Sequence, residues 1–217
     1  MDIESARFNM IEQQVRPWEV LDPRVLETLG SIRREDFVPP RYRKLAFADL
    51  ALPLDHGQCM MKPVVEGRML QALDIQPDAD ILEIGTGSGF ITACLAHLGR
   101  EVLSVEIFED LAERARERIR MLGFSNTRIE VADALGDFDP GHRFDAVAVT
   151  GAVASMPQRF RDWVRPGGRL FVIQGHSPAM QALRLSLDEH GHWREESLFE
   201  TDLPYLIHAE PEARFVF

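Results

Sequence analysis

The stretch ILEIGTGSG, residues 81–89, decides how the rest of this chain is read. Its first four residues make a short apolar run that suits a buried strand. Glycines then alternate at Gly85, Gly87 and Gly89, and FITACLAHL, residues 90–98, follows at once with helical spacing. A strand that turns sharply into a helix leaves unpaired backbone N–H groups at the helix start. Glycine lets a ligand approach that backbone, because no Cβ stands in the way. The dinucleotide fingerprint Gly-x-Gly-x-x-Gly needs its third glycine at position 90, where Phe90 stands. A plain structural turn is the competing reading until the flanks are considered.

Downstream, strand and helix patterns alternate. VLSVE (102–106), TRIEVAD (127–133), FDAVAVTG (144–151) and RLFVIQ (169–174) read as strands. Between them DLAERARERIRMLGF carries Leu111, Ala115 and Leu122 on one face and Gly123 as a stop. Residues 157–164 read as a helix before the turn RPGG, and 178–189 as another helix. Residues 193–199 and 214–217 are expected as closing strands. The alternation predicts an α/β fold with a doubly wound, mostly parallel seven-stranded sheet and helices on both faces. Upstream, residues 5–15 have helical spacing ended by Pro17. Asp22 and Pro23 open a second helix that Gly30 is expected to stop, and 64–73 form a third. The expectation is one domain, 1–217. Residues 1–79 form a helical and loop extension beside the carboxyl edge of a core spanning 80–217.

Composition bounds the partners. The 217 residues include 35 acids against 24 lysines and arginines, a formal net charge of −11, which repels phosphate backbones and disfavours nucleic acid. The start, with Asp2 and Glu4, does not read as a signal peptide, and no apolar run reaches the ~18 residues of a membrane helix. Cys59 and Cys94 lie far apart without a CxxC pair, as expected of a reducing cytoplasm. None of the seven histidines has zinc-like spacing with them, so no metal is expected; His56 is the one to watch, since it borders the loop GQCMMKP.

In an open parallel sheet, ligands bind outside the carboxyl ends of the strands. The second strand ends in Glu106, twenty-one residues after Gly85, where a carboxylate can accept both hydroxyls of a ribose. The third ends in Ala132-Asp133-Ala134, where Asp133 can meet an adenine amino group, although a solvated turn is the alternative. The fourth ends in Thr150-Gly151-Ala152, small residues that leave room for a ligand.

In this order the glycine loop with Glu83, then Glu106, the Asp133 turn and PGGRL resemble the class I S-adenosylmethionine-dependent methyltransferases. The leading segment RPWEVLDPRVLETLGSIRREDFVPPRYRKLAFADLALPLDHGQ (16–58) resembles more narrowly the protein-L-isoaspartate O-methyltransferases. That resemblance implies a Rossmann-like core holding S-adenosylmethionine through Glu83, Gly85, Thr86, Gly87, Ser88, Gly89, Glu106, Asp133, Ala134 and Thr150. It also implies a protein or peptide acceptor bearing isoaspartyl residues. One stretch departs from the family, which carries Gly-Gln-Thr-Ile-Ser-x-Pro where this chain has GQCMMKP (57–63). Cys59 stands for the threonine and Met61 for the serine, so two hydroxyls of the methyl-transfer site are missing; Lys62 is the candidate compensating charge. Either the loop has drifted or the acceptor has changed. A carboxylate acceptor is already anionic at neutral pH and needs no general base, and no base stands out here. Competing readings are a methyltransferase on another acceptor, an S-adenosylmethionine-binding protein without catalysis, and an NAD oxidoreductase, against which Phe90 speaks.

Overall fold

The computed structural model describes residues 2–212. Asp2 and Asp22 accept the backbone N–H groups of Glu4 and Arg24 and cap two helices, α1 (Ile3–Met10) and α2 (Pro23–Ser31). Helical winding continues from α1 through a π turn (Ile11–Val15) and a 3-10 turn (Arg16–Trp18), so Pro17 lies inside the last turn instead of ending it. Helix α2 likewise passes Gly30. Two short strands, β1 (Leu52–Pro53) and β2 (Cys59–Met60), pair with each other, and α3 (Pro63–Leu73) follows.

The main sheet begins with β3 (Asp80–Ile84), which leads through α4 (Phe90–Leu98) to β4 (Glu101–Glu106). Helix α5 (Glu109–Met121) leads to β5 (Thr127–Val131). Strand β6 (Phe144–Val153) leads through α6 (Gln158–Asp162) to β7 (Val164–His176). A meander of β8 (Ala179–Leu187) and β9 (Trp193–Thr201) closes the sheet. The seven strands run β5-β4-β3-β6-β7-β8-β9; the first four pairings are parallel and the last two antiparallel. The chain winds one way from β3 and the other way from β6, so the order reverses at β3–β6. That point is where an open sheet leaves a crevice at its carboxyl edge.

Two apolar layers flank the sheet. On one face Ile81, Val102, Ala148 and Phe171 pack with α4 and α5 and with Val15, Leu29 and Met69 of the N-terminal segment. On the other, Leu82, Val147, Val149 and Leu170 pack with Phe160 and Trp163 around α6. Alternate residues of each strand face opposite layers, as a sheet covered on both sides requires.

One expected helix is a strand. Residues 178–189 were read as helical, and β8 occupies Ala179–Leu187. Met180 and Ala182 are buried, then Leu183, Leu185 and Leu187, so the alternation changes phase where a register shift separates Ala182 from Leu183. Strand β7 also starts earlier than expected, at Val164, with the RPGG turn forming an irregularity within it. The strand expected at 193–199 is β9, and the one expected at 214–217 lies outside the described residues. Among the described residues no helix is long and apolar enough to cross a membrane.

Candidate active site

Beyond β3 the chain turns through Gly85, Gly87 and Gly89 with φ of +98°, +53° and +85°, a region that side chains rarely adopt. Space is equally restrictive at Gly85, where a Cβ would stand 2.5 Å from Thr150 Oγ1. Glu106, at the end of β4 and 5% exposed, laces the loop in place. Its Oε2 accepts the Gly87 N–H at 2.8 Å and its Oε1 the Phe108 N–H at 3.0 Å. A cavity opens here, walled by Gly85, Gly87, Glu106, Asp133, Ala134 and Thr150 and by apolar Ile84, Ile107, Phe108 and Leu135. His56 stacks on Phe108 with ring centroids 4.1 Å apart, and its Nε2 lies 2.7 Å from Asp110 Oδ1. Asp133 Oδ1 accepts the Leu135 N–H at 2.8 Å. Its Oδ2 meets His208 Nδ1 at 2.7 Å, which holds the segment after β9 across the cavity. That segment returns to β6, where Ala152 N–H donates to Pro204 O and Leu206 N–H to Ala152 O, and it adds Leu206 and Ile207 to the walls.

A second, smaller cavity continues from the first past Gly85, Gly87 and Thr150. Cys59, Met60, Met61, Glu66, Thr86, Ser88 and Phe90 enclose it. Burial pushes the Cys59 thiol up to about 11, with Glu66 adding to the rise, so Cys59 stays a neutral thiol at physiological pH. The loop carrying Cys59 and Met61 is fixed by Arg34, which is fully buried. Arg34 donates to both carboxylate oxygens of Glu66 (2.9 and 3.1 Å), to Ala46 O (2.6 Å) and to Met61 O (2.7 Å). Burial raises the Glu66 carboxyl and the Arg34 charge opposes that rise. The Arg34 guanidinium also lies 5.5 Å from the centre of the Phe90 ring, so one side chain joins the loop, α3 and the start of α4.

The structure separates the residues expected to hold the cofactor. Gly85, Gly87, Glu106, Asp133, Ala134 and Thr150 line the larger cavity, and Thr86 and Ser88 line the smaller one. Gly89 lines neither and gives α5 its close approach, since a Cβ there would meet Ala115 Cβ at 3.1 Å. Glu83 also lines neither, and is fully buried behind the loop. Its Oε2 accepts the Thr92 and Ser104 hydroxyls, each at 2.6 Å. Ser104 having given its hydrogen to Glu83, Thr86 donates to Ser104 at 2.5 Å, which ties the glycine loop to the strand beneath it. Glu83 Oε1 is buried without a partner among the described residues, and burial pushes the carboxyl up to about 8 despite the two hydroxyls. Lys62 lines neither cavity; it borders a third, between the N-terminal segment and the ends of β8 and β9. Among the described residues no group of three or more His, Cys, Asp or Glu side chains is placed to hold a metal ion.

Residues 6–197 match the model of the Protein-L-isoaspartate(D-aspartate) O-methyltransferase (PCMT) family. The chain belongs to that family. A protein-L-isoaspartate O-methyltransferase of Gloeobacter violaceus is 35% identical over 203 residues, 94% of this chain and 99% of that one. One of Myxococcus xanthus is 40% identical over 164 residues, 76% of this chain and 77% of that one. The fold is shared with a Plasmodium falciparum structure named for protein-L-isoaspartate O-methyltransferase and complexed with S-adenosyl-L-homocysteine. That structure has a TM-score of 0.78 at 18% identity, covering 95% of this chain and 98% of that one.

Sequence reasoning missed Arg34, Glu66 and the segment carrying Leu206, Ile207 and His208. Phe108 was within reach, because it follows Glu106 by two, and its N–H is one of two that carboxylate accepts. No local signal marks Leu206, which meets the site only through chain return.

Proposed function

We propose that this member of the PCMT family transfers a methyl group from S-adenosylmethionine to the carboxylate of L-isoaspartyl residues in damaged proteins. The observation that carries the reading is the joining of two cavities. One has the wall chemistry of an adenosine site, and the other lies under the family's acceptor loop. The glycine loop suits close approach of the cofactor, because Gly85 and Gly87 put backbone and no side chain on the cavity wall. Ile84, Ile107, Phe108 and Leu135 suit an adenine ring, and the Glu106 carboxylate is the candidate acceptor for ribose hydroxyls. When bound, the cofactor supplies a sulfonium methyl group as electrophile. The acceptor carboxylate is already ionised at neutral pH, so this chain has to orient it and exclude water rather than remove a proton. Buried Met61 and neutral Cys59 put uncharged side chains on that enclosure, and the backbone of Met61 is held from behind by Arg34.

The loss of two hydroxyls in GQCMMKP weakens acceptor binding without removing the enclosure, so we favour drift of the loop over a changed acceptor. We place the reaction in the cytoplasm, where both free cysteines would remain reduced. The test is calorimetric titration with S-adenosylmethionine and with NAD, followed by mass analysis of an isoaspartyl peptide incubated with the enzyme and S-adenosylmethionine. Binding of S-adenosylmethionine alone, and a peptide heavier by one methyl group, are the expected results. Binding without transfer to the peptide would leave a different acceptor or a non-catalytic role.

A further inference from the structure

The strand order arranges three cavities along one edge of the sheet. The first lies at the ends of β4 and β5, where Glu106 and Asp133 stand. The second lies at the ends of β3 and β6, where Gly85 and Thr150 stand. Past the end of β7, the third lies where β8 begins at Ala179 and β9 ends at Thr201. Because β8 is antiparallel to its neighbours, its first residue shares an edge with the last residues of β7 and β9. The N-terminal segment supplies the opposite wall through Trp18, Asp49, Lys62, Val64 and Val65. Lys62 directly follows Met61, which encloses the second cavity, so a chain seated at the methyl site can reach the third within a few residues at ~3.3 Å per residue.

We propose that this third cavity, resting on the isoaspartyl reading above, receives a basic side chain that flanks the methylated residue of the acceptor polypeptide. The cavity measures about 250 Å³, many times the ~30 Å³ of one water, so a long side chain fits. Buried Val64 and Val65 and half-buried Phe199 give it apolar walls, with Trp18 edge-on to Phe199 at 6.4 Å and 48% exposed. Three carboxylates, Asp49, Glu200 and Asp202, line it beside one ammonium group, that of Lys62, and the Arg68 guanidinium, already paired with Glu19, lies 5.3 Å from the centre of the Phe199 ring. Among the described residues Asp49, Glu200 and Lys62 enter no ion pair, and Asp202 accepts only the Ser177 hydroxyl at 3.1 Å. Apolar walls under an acidic rim match a lysine or arginine, whose alkyl stem covers apolar surface while its charged head meets carboxylate. A glutamate in the same place would face like charges.

The test is a set of isoaspartyl peptides of one sequence carrying Lys, Gln or Glu at each of the three positions before and after the isoaspartyl residue. With the full chain and S-adenosylmethionine, kcat/KM is expected to favour Lys over Glu roughly fivefold at the position that reaches the cavity, the size one exposed ion pair supplies. The preference should lie in KM and shrink as salt rises. Glu200→Gln with Asp202→Asn should abolish it, and Glu200→Lys should invert it, with S-adenosylmethionine affinity by calorimetry confirming that each variant folds. Equal kcat/KM for all peptides, or a preference that survives both variants, would overturn the subsite while leaving the methyltransferase reading intact. Failure to methylate any isoaspartyl peptide would sink that reading and the subsite with it.

Discussion

Glu83 and Glu106 stand on neighbouring strands, and their surroundings give them different work. Glu83 is fully buried against hydroxyls, and its carboxyl is pushed up from 4.5 to about 8, first by burial and further by the Glu106 charge. The folded protein therefore holds a proton that the unfolded chain has released between about pH 4.5 and 8, and stability falls as pH rises through that window. Glu83→Gln keeps an acceptor for Thr92 and Ser104 and removes the titration. Its unfolding free energy in urea is predicted to gain on wild type from the bottom of that window to the top, by on the order of a few kcal/mol; a constant difference at both ends would contradict this. Glu106→Ala is predicted to weaken S-adenosylmethionine binding by about 1.5–3 kcal/mol, the scale of a hydrogen bond to a charged group. Unchanged affinity in calorimetry would remove Glu106 from the site. That Glu106, Asp133 and Thr150 meet at one cavity was legible, because strand ends in an alternating pattern converge on one edge. Arg34 was not, because it sits in the polar run SIRRED and its partners Ala46, Met61 and Glu66 are 12, 27 and 32 residues away.

The loop at 57–63 is held in place by the Arg34–Glu66 pair. Arg34→Ala would leave Glu66 buried and unpaired, and should lower stability by about 3–5 kcal/mol. Arg34→Met with Glu66→Met fills the same space with apolar groups and should recover most of that loss. Methyl transfer should stay impaired in the double variant, because the Met61 carbonyl has lost its donor; urea melts beside kcat measurements separate the two effects, and full activity would show that Arg34 serves stability alone. The loop's own chemistry is tested by Cys59→Thr with Met61→Ser. Restored hydroxyls should raise kcat/KM on an isoaspartyl peptide by up to ~100-fold, whereas a loss would mean that Met61 packs against some other acceptor. Strand β8 shows where element reading fails. AMQALRLSL is built of strong helix formers, and the phase change at Ala182/Leu183 moves the buried set from one parity to the other, so period two is lost to a short window. Tertiary pairing with β7 and β9 overrides the local preference.

The N-terminal segment and the sheet share one apolar layer that includes Val15, Leu29, Met69 and Phe171. Arg68 reaches across to the Leu198 carbonyl and lies 5.3 Å from the centre of the Phe199 ring. We propose that residues 1–79 and 80–217 unfold together, giving one urea transition by both tryptophan fluorescence and circular dichroism; two separated transitions would make the extension a unit of its own. The glycine loop and the alternation around it foretold the sheet, its parallel centre and the edge where the cavities open. The segment returning after β9 was beyond reach, since Leu206 and His208 meet β6 and Asp133 only after the whole sheet has formed. The identity of the acceptor turns on two peptides that differ only in how one aspartate joins the chain. Initial rates of methyl transfer from S-adenosylmethionine by the unmodified chain should be measured on an isoaspartyl peptide and on its normal aspartyl twin. Saturable methylation of the isoaspartyl peptide and none above background on the twin are expected; equal rates on both, or no transfer to either while the cofactor binds, would rule out an isoaspartyl acceptor.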